Sequence, residues 1–406
     1  MITFKDIEVA RDRISGAVFY SACSRSIPLS ETTGFEIFCK FDNTQRTGSF
    51  KERGARNALA QLSSDQKKRG VIAASAGNHA QALAYQGKLL GIPATVVMPQ
   101  YAPLIKITNC RKLGANVVLH GKDFTEARAH AHQLATEKGL AYIDGYDDPA
   151  IIAGQGTMGI EIVDQVKDVD AVVVPVGGAG LIAGVSLAVK TLRPQAKVIA
   201  VEAENVASFS AAMKAGEPIK IALQPTLADG LAIPQVGANA FAIAREHVDQ
   251  TITVNEEQIA IAILRLVELE KTVVEGAAAT PLAAVLSGKL PELAGKRVVL
   301  LLCGGNIDPN ILGRVIERGL VADGRLCRFT AVISDRPGGL AVLSKQIAAT
   351  GASIKQIVHE RAFASSDLSA VNVLCTVETR NHEHFAQLRA HLKAHGVETY
   401  DTGRGD

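Results

Sequence analysis

Short β-rich runs and helical stretches alternate along most of this chain, and this alternation constrains the fold more than any other feature. The first series of predicted strands lies at residues 70–74, 94–98, 116–120 and 140–143, with helical stretches between them. The alternation resumes after residue 149, with later strands at 171–176, 197–202, 251–254 and 297–302. Such alternation is typical of mostly parallel sheets flanked by helices. We therefore predict two open α/β units that meet at a cleft.

The last part of the chain has a different order. Its predicted elements run strand, helix, strand, strand, helix, strand, at residues 326–334, 338–350, 354–361, 369–379, 382–395 and 397–400. This is the ferredoxin-like βαββαβ order. The segment 319–325 (GLVADGR) has the character of a linker, so we predict domains at 1–318 and 326–406. Within the first domain we expect a small subdomain of about 42–146 and a large one formed by 1–41 and 147–318.

Composition and charge narrow the class of protein. The 406 residues are 47% hydrophobic and 21% charged, as in a well-packed enzyme of two or three domains. A net charge of +2 gives no large basic field, so we expect no nucleic-acid partner. We find no apolar run that could span a bilayer and no charged-then-apolar leader, so we expect no membrane partner and a cytoplasmic location. The six cysteines are dispersed and form no C-x-x-C pair, which indicates reduced thiols.

One lysine lies at an unusual position, the start of a predicted helix. Ser49 and Glu52 have the spacing of a capping box, which predicts a helix over 50–62 with Lys51 in its first turn. The helix dipole disfavours a cation there and favours the neutral amine, which can attack a carbonyl or accept a proton. The alternative is that Lys51 simply points into water.

Three loops lie between a predicted strand and a predicted helix, where open α/β sheets bind ligands. The first has small residues at 75–77 before Asn78 and a helix N-terminus that suits an anion, although a plain tight turn is an equal alternative. The second, at 176–181, is glycine-rich and can form a phosphate cradle. The third places Cys303 at the end of an apolar strand. Such a cysteine is usually a small core residue, but on a cleft rim its thiol could contact a ring nitrogen.

The second loop also fits a different class of protein. Gly178, Gly180 and Ala183 match a loose dinucleotide fingerprint, and Glu202 follows at about the expected distance. A nicotinamide-binding (NAD) oxidoreductase is therefore an alternative, although Lys51 and Asn78 have no function in it. A non-enzymatic amino-acid sensor that uses only the C-terminal domain is a further alternative.

Taken together, the segments 47–54, 75–83, 177–181 and 303–306 resemble the pyridoxal-phosphate enzymes of the tryptophan-synthase β-like fold, and among them the threonine dehydratases (threonine ammonia-lyases). The resemblance covers about residues 1–318, with the motifs in the same order. It implies a pyridoxal 5'-phosphate cleft between the two α/β units. It also implies deamination of L-threonine to 2-oxobutanoate and of L-serine to pyruvate. Ammonia-lyases for other hydroxy amino acids, such as 3-hydroxyaspartate, and serine racemases are the alternatives within this fold.

The resemblance implies roles for individual residues. Lys51 would hold the cofactor as a Schiff base and later take the substrate Cα proton, while Asn78 would bind the 3-oxygen of the ring. Phe50 would pack on the ring, and the neutral thiol of Cys303 would face the pyridine nitrogen, which favours β-elimination over a long-lived carbanion. The phosphate would lie on Gly177, Gly178, Ala179, Gly180 and Leu181. The substrate carboxylate would be surrounded by Ser75, Ala76, Gly77, His79, Gln155 and Gly156.

Two departures from the family pattern and one further resemblance add three expectations. Ala76 stands where racemising members carry a serine, so we predict elimination with little racemisation. The family's cation site would use Glu202 and the Val206 carbonyl, but Ser208 replaces the usual aspartate, which disfavours a divalent ion and leaves a monovalent cation as the candidate. The C-terminal domain resembles ACT regulatory domains through its residues 335–340. This implies a homodimer or homotetramer and an amino-acid effector, isoleucine or valine; a purely oligomerising role is an equal alternative.

Overall fold

The computed structural model describes residues 1–360 and 369–401. The chain divides into two compact units, Met1–Leu312 and Gly313–Asp406. The helices and strands of the first unit are α1 (Phe4–Ile14), β1 (Cys23–Arg25), α2 (Ile27–Thr33), β2 (Glu36–Lys40), α3 (Lys51–Ala60), α4 (Ser64–Arg69), β3 (Val71–Ala74), α5 (Asn78–Leu90), β4 (Ala94–Met98), α6 (Leu104–Lys112), β5 (Asn116–Leu119), α7 (Phe124–Lys138), β6 (Ala141–Tyr142), α8 (Pro149–Gln165), β7 (Ala171–Pro175), α9 (Gly180–Leu192), β8 (Lys197–Ala203), α10 (Ser208–Ala215), α11 (Ala238–His247), β9 (Gln250–Val254), α12 (Glu256–Leu269), α13 (Gly276–Leu286), β10 (Arg297–Leu301) and the beginning of α14 (Pro309–Ala322).

Two sheets organise the first unit. The larger has the strand order β1-β2-β10-β7-β8-β9 and is parallel except for β1, which pairs antiparallel with β2. The smaller has the order β5-β4-β3-β6 and is parallel throughout. All five residues of β7 are buried, as expected of a strand with helices on both faces. The predicted fold of two mostly parallel α/β units is confirmed.

Helix α8 packs closely on α9, the helix that follows the glycine-rich loop. Residues 151–162 of α8 are all buried. A Cβ atom on Gly184 of α9 would lie only 2.3 Å from the carbonyl oxygen of Ile152, so a side chain at position 184 would force the two helices apart. This contact fixes α9, and with it the loop at its N-terminus, against the interior of the unit.

The start of α3 differs from the sequence prediction. Phe50 is the N-cap and makes no side-chain capping bond, and the Ser49 hydroxyl is buried without a partner in the described chain. Glu52 instead accepts hydrogen bonds from the Thr47 N–H and, at 3.1 Å, from the Gln86 amide. The predicted capping box is therefore wrong, because contacts with the preceding loop and with α5 override the local pattern.

The ends of α2 and α14 also follow from local contacts. Ser26 caps α2 by accepting from the Leu29 N–H at 3.1 Å, and a proline lies in its first turn. Residues 319–322 of the predicted linker belong to α14, because Val315 and Gly319 are buried and continue the helix. The predicted domain boundaries at 318 and 326 stay a prediction.

The second unit contains an antiparallel sheet. Its elements after α14 are β11 (Leu326–Ser334), α15 (Gly339–Ala349), β12 (Ser353–Glu360), β13 (Ala370–Glu378), α16 (His382–Ala394) and β14 (Glu398–Asp401), with the strand order β12-β13-β11-β14. The predicted ferredoxin-like order is confirmed, while Arg361, the last residue of a predicted strand, lies outside the described residues. Phe329, Leu343, Val373 and Leu388 are fully buried in its core. Among the described residues of the whole chain, no helix has the length and apolar character needed to cross a membrane.

Candidate active site

The backbone places the start of α3 directly against the end of β10. The Phe50 N–H donates to the Cys303 carbonyl at 2.9 Å, and Ser49 forms an isolated antiparallel bridge with Gly304. Two loops from distant parts of the sequence are thereby joined by main-chain contacts. Lys51, the next residue after Phe50, is held close to Cys303 as a result.

Lys51 points into the first unit rather than into water. Its Nζ donates to the Gly145 carbonyl at 2.5 Å and lies 5.1 Å from the centroid of the Phe50 ring. Burial lowers the pKa of the Lys51 amine to about 8, and the negative charge of Asp144, among others, only partly opposes this. Burial, and not the helix dipole alone, is the main reason that the neutral amine is accessible near neutral pH.

The predicted phosphate loop joins β7 to α9 and consists of Gly177, Gly178, Ala179, Gly180 and Leu181. Ala179 has a φ of 70°, an uncommon conformation for a residue with a side chain. The first turn of α9 leaves backbone N–H groups without intrahelical partners, and the helix dipole adds positive potential there. Such a helix start suits a phosphate group.

The aromatic ring of Tyr146 packs against this loop. A Cβ atom on Gly178 would lie 2.3 Å from the Tyr146 ring, and one on Gly180 would lie 2.2 Å from the Tyr146 carbonyl oxygen. Tyr146 directly follows Gly145, whose carbonyl accepts from Lys51. The glycine-rich loop and the lysine are therefore connected through two consecutive residues.

We expect the substitution Gly180→Ala to lower the free energy of unfolding by about 1–3 kcal/mol, the usual cost of overpacking. The added methyl would overlap the Tyr146 carbonyl, and main chain cannot rotate aside as a side chain can. Thermal unfolding of the apoprotein measures the effect. The matched control is Gly313→Ala, where a Cβ meets no atom within 4 Å. Equal stability of the two variants would contradict the close packing at Gly180.

The side chain of Asn78 belongs to a partly buried series of hydrogen bonds. Its Oδ1 accepts from the Asn306 amide at 2.9 Å, and its Nδ2 donates to Glu275 at 2.8 Å. The Asn306 amide also donates to the Thr47 carbonyl at 2.7 Å. Burial raises the pKa of Glu275 to about 7, and the charge of Asp229 adds to this effect. These hydrogen bonds link α5, the end of β10 and the start of α13.

The thiol of Cys303 is buried at the end of β10. Burial raises the pKa of this thiol well above its usual value, and the nearby Glu275 carboxylate acts in the same direction. Cys303 is therefore neutral at physiological pH. A neutral thiol offers a weak hydrogen bond to a ring nitrogen and no charge that would keep such a nitrogen protonated.

The loop between β3 and α5 contains three of the predicted substrate-binding residues, Ser75, Ala76 and Gly77, and a fourth, His79, lies in the first turn of α5. The Gly77 N–H donates to the Ser75 hydroxyl at 3.2 Å. The His79 Nε2 lies 3.1 Å from the Ile143 carbonyl, while its Nδ1 is buried without a partner in the described chain. Burial, assisted by the charge of Lys51, lowers the pKa of His79 to about 4, so the imidazole is neutral at neutral pH.

The structure separates the two predicted residues of α8. The Gln155 Oε1 accepts from the Gly54 N–H at 3.3 Å, and its Nε2 is buried without a partner among the described residues. Gly156 instead faces the helix core, where an added Cβ would lie 2.6 Å from the Ile7 side chain and 2.9 Å from the Gly184 carbonyl. We therefore keep Gln155 in the candidate site, while the Cα of Gly156 packs against α1 and α9 and its predicted contact with the substrate stays a prediction.

Glu202 lies at the predicted cation position, and its carboxylate oxygens accept hydrogen bonds from α10. It accepts from the Phe209 N–H at 2.7 Å and from the N–H and hydroxyl of Ser210 at 2.8 and 2.5 Å. The Ser208 hydroxyl, next to Val206 at this turn, is buried without a partner in the part of the chain that the structure describes. The carboxylate thus caps a helix here, and the monovalent cation stays a prediction.

Sequence reasoning missed Glu275 and did not assign a role to Asn306. Glu275 is a single acidic residue within the apolar stretch 273–279, and it is only 7% exposed. An isolated carboxylate in such a stretch was the available signal, because buried charges are rare unless they have a function or a partner.

Comparison with known proteins gives consistent results. The family described as "Pyridoxal-phosphate dependent enzyme" matches residues 14–304. An L-threonine ammonia-lyase of Thermotoga maritima is 44% identical over 99% of this chain and 100% of its own length. A processed threonine deaminase isoform 2 of Solanum lycopersicum superposes with a TM-score of 0.74 at 38% identity, over 77% of this chain and 91% of its own. The serine racemase of Dictyostelium discoideum superposes with a TM-score of 0.72 at 35% identity, over 76% of this chain and 99% of its own.

Proposed function

The chain belongs to the pyridoxal-phosphate dependent enzyme family, and from this premise we propose that it deaminates L-threonine to 2-oxobutanoate and ammonia, and L-serine to pyruvate and ammonia. The predicted family resemblance and the predicted cofactor, pyridoxal 5'-phosphate, are confirmed. The chain is a lyase, as are the full-length relatives named L-threonine ammonia-lyase. Their names support threonine as the substrate.

One observation carries the proposal: short hydrogen bonds hold together the three segments that carry Lys51, Asn78 and Cys303, at the ends of β3 and β10. Buried polar atoms without a partner in the described part of the chain lie nearby on Ser49, on His79 at the start of α5 and on Gln155 of α8, whose amide reaches Gly54. Unpaired buried groups of this kind are satisfied when a polar ligand binds beside them. The residues present therefore fit a phosphorylated pyridine cofactor.

The chain's own groups divide the work of the reaction. Pyridoxal phosphate, when bound, supplies an electron-withdrawing ring that stabilises negative charge at the substrate Cα. The Lys51 amine, with its lowered pKa, is the base positioned to take the Cα proton. The N–H groups at the start of α9 would hold the phosphate, and the neutral Cys303 thiol would leave the ring nitrogen without a counter-charge. This combination favours rapid loss of the β-hydroxyl.

Two alternatives receive less support. Ala76 carries a methyl group where a racemase needs a proton donor, so we propose elimination with little formation of D-serine. The nicotinamide alternative requires Glu202 to bind a ribose, but Glu202 already accepts three hydrogen bonds from Phe209 and Ser210. The family assignment supports a pyridoxal-phosphate enzyme over a nicotinamide-binding oxidoreductase.

A comparison of substrates tests the proposed function. We expect the purified, cofactor-loaded protein to form 2-oxoacid fastest from L-threonine, more slowly from L-serine and least from 3-hydroxyaspartate. Chiral analysis of the serine reaction is expected to show pyruvate and almost no D-serine. Faster turnover of 3-hydroxyaspartate, or D-serine as a main product, would replace the proposal with one of the two alternatives.

We also propose regulation, assembly and location as finer properties. The ferredoxin-like second unit and its loop at 335–340 support an amino-acid effector, isoleucine or valine, and a homodimer or homotetramer. Six unpaired cysteines support the cytoplasm as the location. Titration of isoleucine and valine is expected to change the rate or the threonine affinity, and analytical ultracentrifugation gives the assembly. The absence of any effect of either amino acid would contradict the regulatory proposal.

A further inference from the structure

Glu275 is a buried carboxyl group that the reaction described above does not use. It lies at the start of α13, and its backbone N–H donates to the Gly304 carbonyl at 3.0 Å, immediately after Cys303. Its side chain is bound by neutral groups, the Asn78 amide at 2.8 Å and the backbone N–H of Asn306. A carboxyl held in this way beside the ring site requires a reason, because burial of an acid is costly.

The contacts of Asn78 supply that reason. An amide oxygen can only accept and an amide nitrogen can only donate, so each neighbour of Asn78 selects one end of its side chain. Asn306 presents a donor to Oδ1, and Glu275 presents an acceptor to Nδ2. Rotating the amide by 180° would place oxygen against carboxylate and nitrogen against nitrogen. Glu275 and Asn306 together therefore define one orientation of Asn78.

We infer that Glu275 and Asn306 are positioning residues, which fix the Asn78 amide so that its second N–H is directed at the oxygen of the cofactor ring. One N–H of Nδ2 is occupied by Glu275, and the other is the donor that remains. The Asn306 amide is itself held by the Thr47 carbonyl at 2.7 Å, so the support extends to the loop that carries Lys51. This inference rests on the proposed function, because it assumes that Asn78 contacts the ring.

A carboxylate at 275 and an amide at 306 supply one acceptor and one donor to Asn78. An apolar residue at 275 would leave Asn306 alone to select the orientation of the Asn78 amide. An aspartate at 306 would set a carboxylate oxygen against Asn78 Oδ1 and the Thr47 carbonyl. Supporting residues of bound groups typically change affinity by about 10–100-fold when they are replaced. We expect losses of this size in cofactor affinity for both changes.

The test uses the full-length protein, from which the cofactor is removed and then added back. The variants are Glu275→Met, Glu275→Gln and Asn306→Asp, with Glu292→Met as the matched control at an exposed position. The readouts are the dissociation constant of pyridoxal phosphate, the absorption maximum of the bound cofactor and the melting temperature of the apoprotein. The absorption maximum responds to hydrogen bonding at the ring oxygen. If Glu275 and Asn306 only stabilised the fold, their replacement would leave this maximum unchanged.

We expect Glu275→Met and Asn306→Asp to bind the cofactor about tenfold or more weakly and to shift its absorption maximum. Glu275→Gln keeps one acceptor oxygen for Asn78, so its loss of affinity is expected to be smaller than that of Glu275→Met. Wild-type affinity and an unshifted spectrum in Glu275→Met would overturn the inference. If that variant does not fold, the same readouts on the nearly isosteric Asn306→Asp decide the question.

The positioning of Asn78 and the proposed substrate can fail independently of each other. A wild-type protein that binds the cofactor but prefers another amino acid would contradict the proposed substrate and leave the positioning of Asn78 intact. Unchanged cofactor spectra in the variants of a wild-type enzyme that deaminates threonine would contradict only the positioning. A loss of affinity in Glu275→Gln as large as that in Glu275→Met would also overturn the inference, since the negative charge and not the acceptor would then matter.

Discussion

Replacing Lys51 by alanine is expected to reduce kcat for threonine deamination by about 10⁴-fold or more, the upper end of what a positioned general base contributes. The substitution removes the partly buried amine whose pKa is about 8 and whose Nζ donates to the Gly145 carbonyl. No water-exposed lysine can replace it, because the amine must lie beside Cys303. Steady-state formation of 2-oxobutanoate measures the loss.

A second measurement makes the result specific to this amine. Borohydride reduction of the yellow wild-type protein is expected to attach the cofactor to the peptide that contains Lys51, and the alanine variant is expected to hold the cofactor only through the loop before α9. The matched control is Lys112→Ala, at an exposed position near the end of α6. Measurable steady deamination by the Lys51 variant would end the role assigned to this residue.

Replacing Arg53 by methionine is expected to cost about 3–5 kcal/mol of the free energy of unfolding, the usual cost of breaking a buried ion pair from one side. Arg53 is fully buried and binds both carboxylates around it in forked pairs, at 2.7 and 2.8 Å to Asp42 and at 2.6 and 2.8 Å to Glu161. Methionine fills much of the same volume but would leave two buried negative charges with only Lys40 to compensate them.

The contribution of Arg53 to stability depends on pH through the pKa of Asp42. Burial alone would raise the pKa of Asp42, but the charge and hydrogen bonds of Arg53 outweigh it, so the pKa is lowered from 3.8. A lowered pKa contributes stability above the unfolded value that is lost as the pH falls through the folded value. Arg53→Met should remove this contribution at neutral pH, because the Asp42 carboxylate then has no forked partner.

Denaturant unfolding followed by circular dichroism tests the expectation for Arg53. The exposed Arg111→Met is the matched control and should change stability by no more than about 0.5 kcal/mol. Adding Asp42→Asn and Glu161→Gln to Arg53→Met is expected to restore part of the lost stability by removing the uncompensated charges. A loss below about 1 kcal/mol for Arg53→Met would show that the ion pairs are not the support described here.

Much of the fold was predictable because its information is local. The strand predicted at 94–98 coincides with β4, since its apolar run ends at a turn-forming residue, Pro99. Helix α4 was missed although Ser63 and Gln66 form a capping box there. It has no buried residue, so its sequence shows no apolar periodicity.

The site was predictable only where a motif marks it. Lys51 and Asn78 lie in recognisable segments, but Glu275 contacts Asn78 across 197 residues of sequence, and only the folded chain shows that the two meet. The same holds for the start of α3, where Glu52 binds the Thr47 N–H instead of the predicted cap. The resemblance implied Gln155 and Gly156 together, whereas helical geometry turns neighbouring residues to different faces.

The main-chain contacts that join the start of α3 to the end of β10 have a mechanical consequence. Phe50 and Ser49 are bonded to Cys303 and Gly304, so the backbone that carries Lys51 is tied to the end of β10. A rearrangement that moved Lys51 away from Cys303 would have to break these main-chain contacts. A motion that leaves them intact must bend the first unit at other positions.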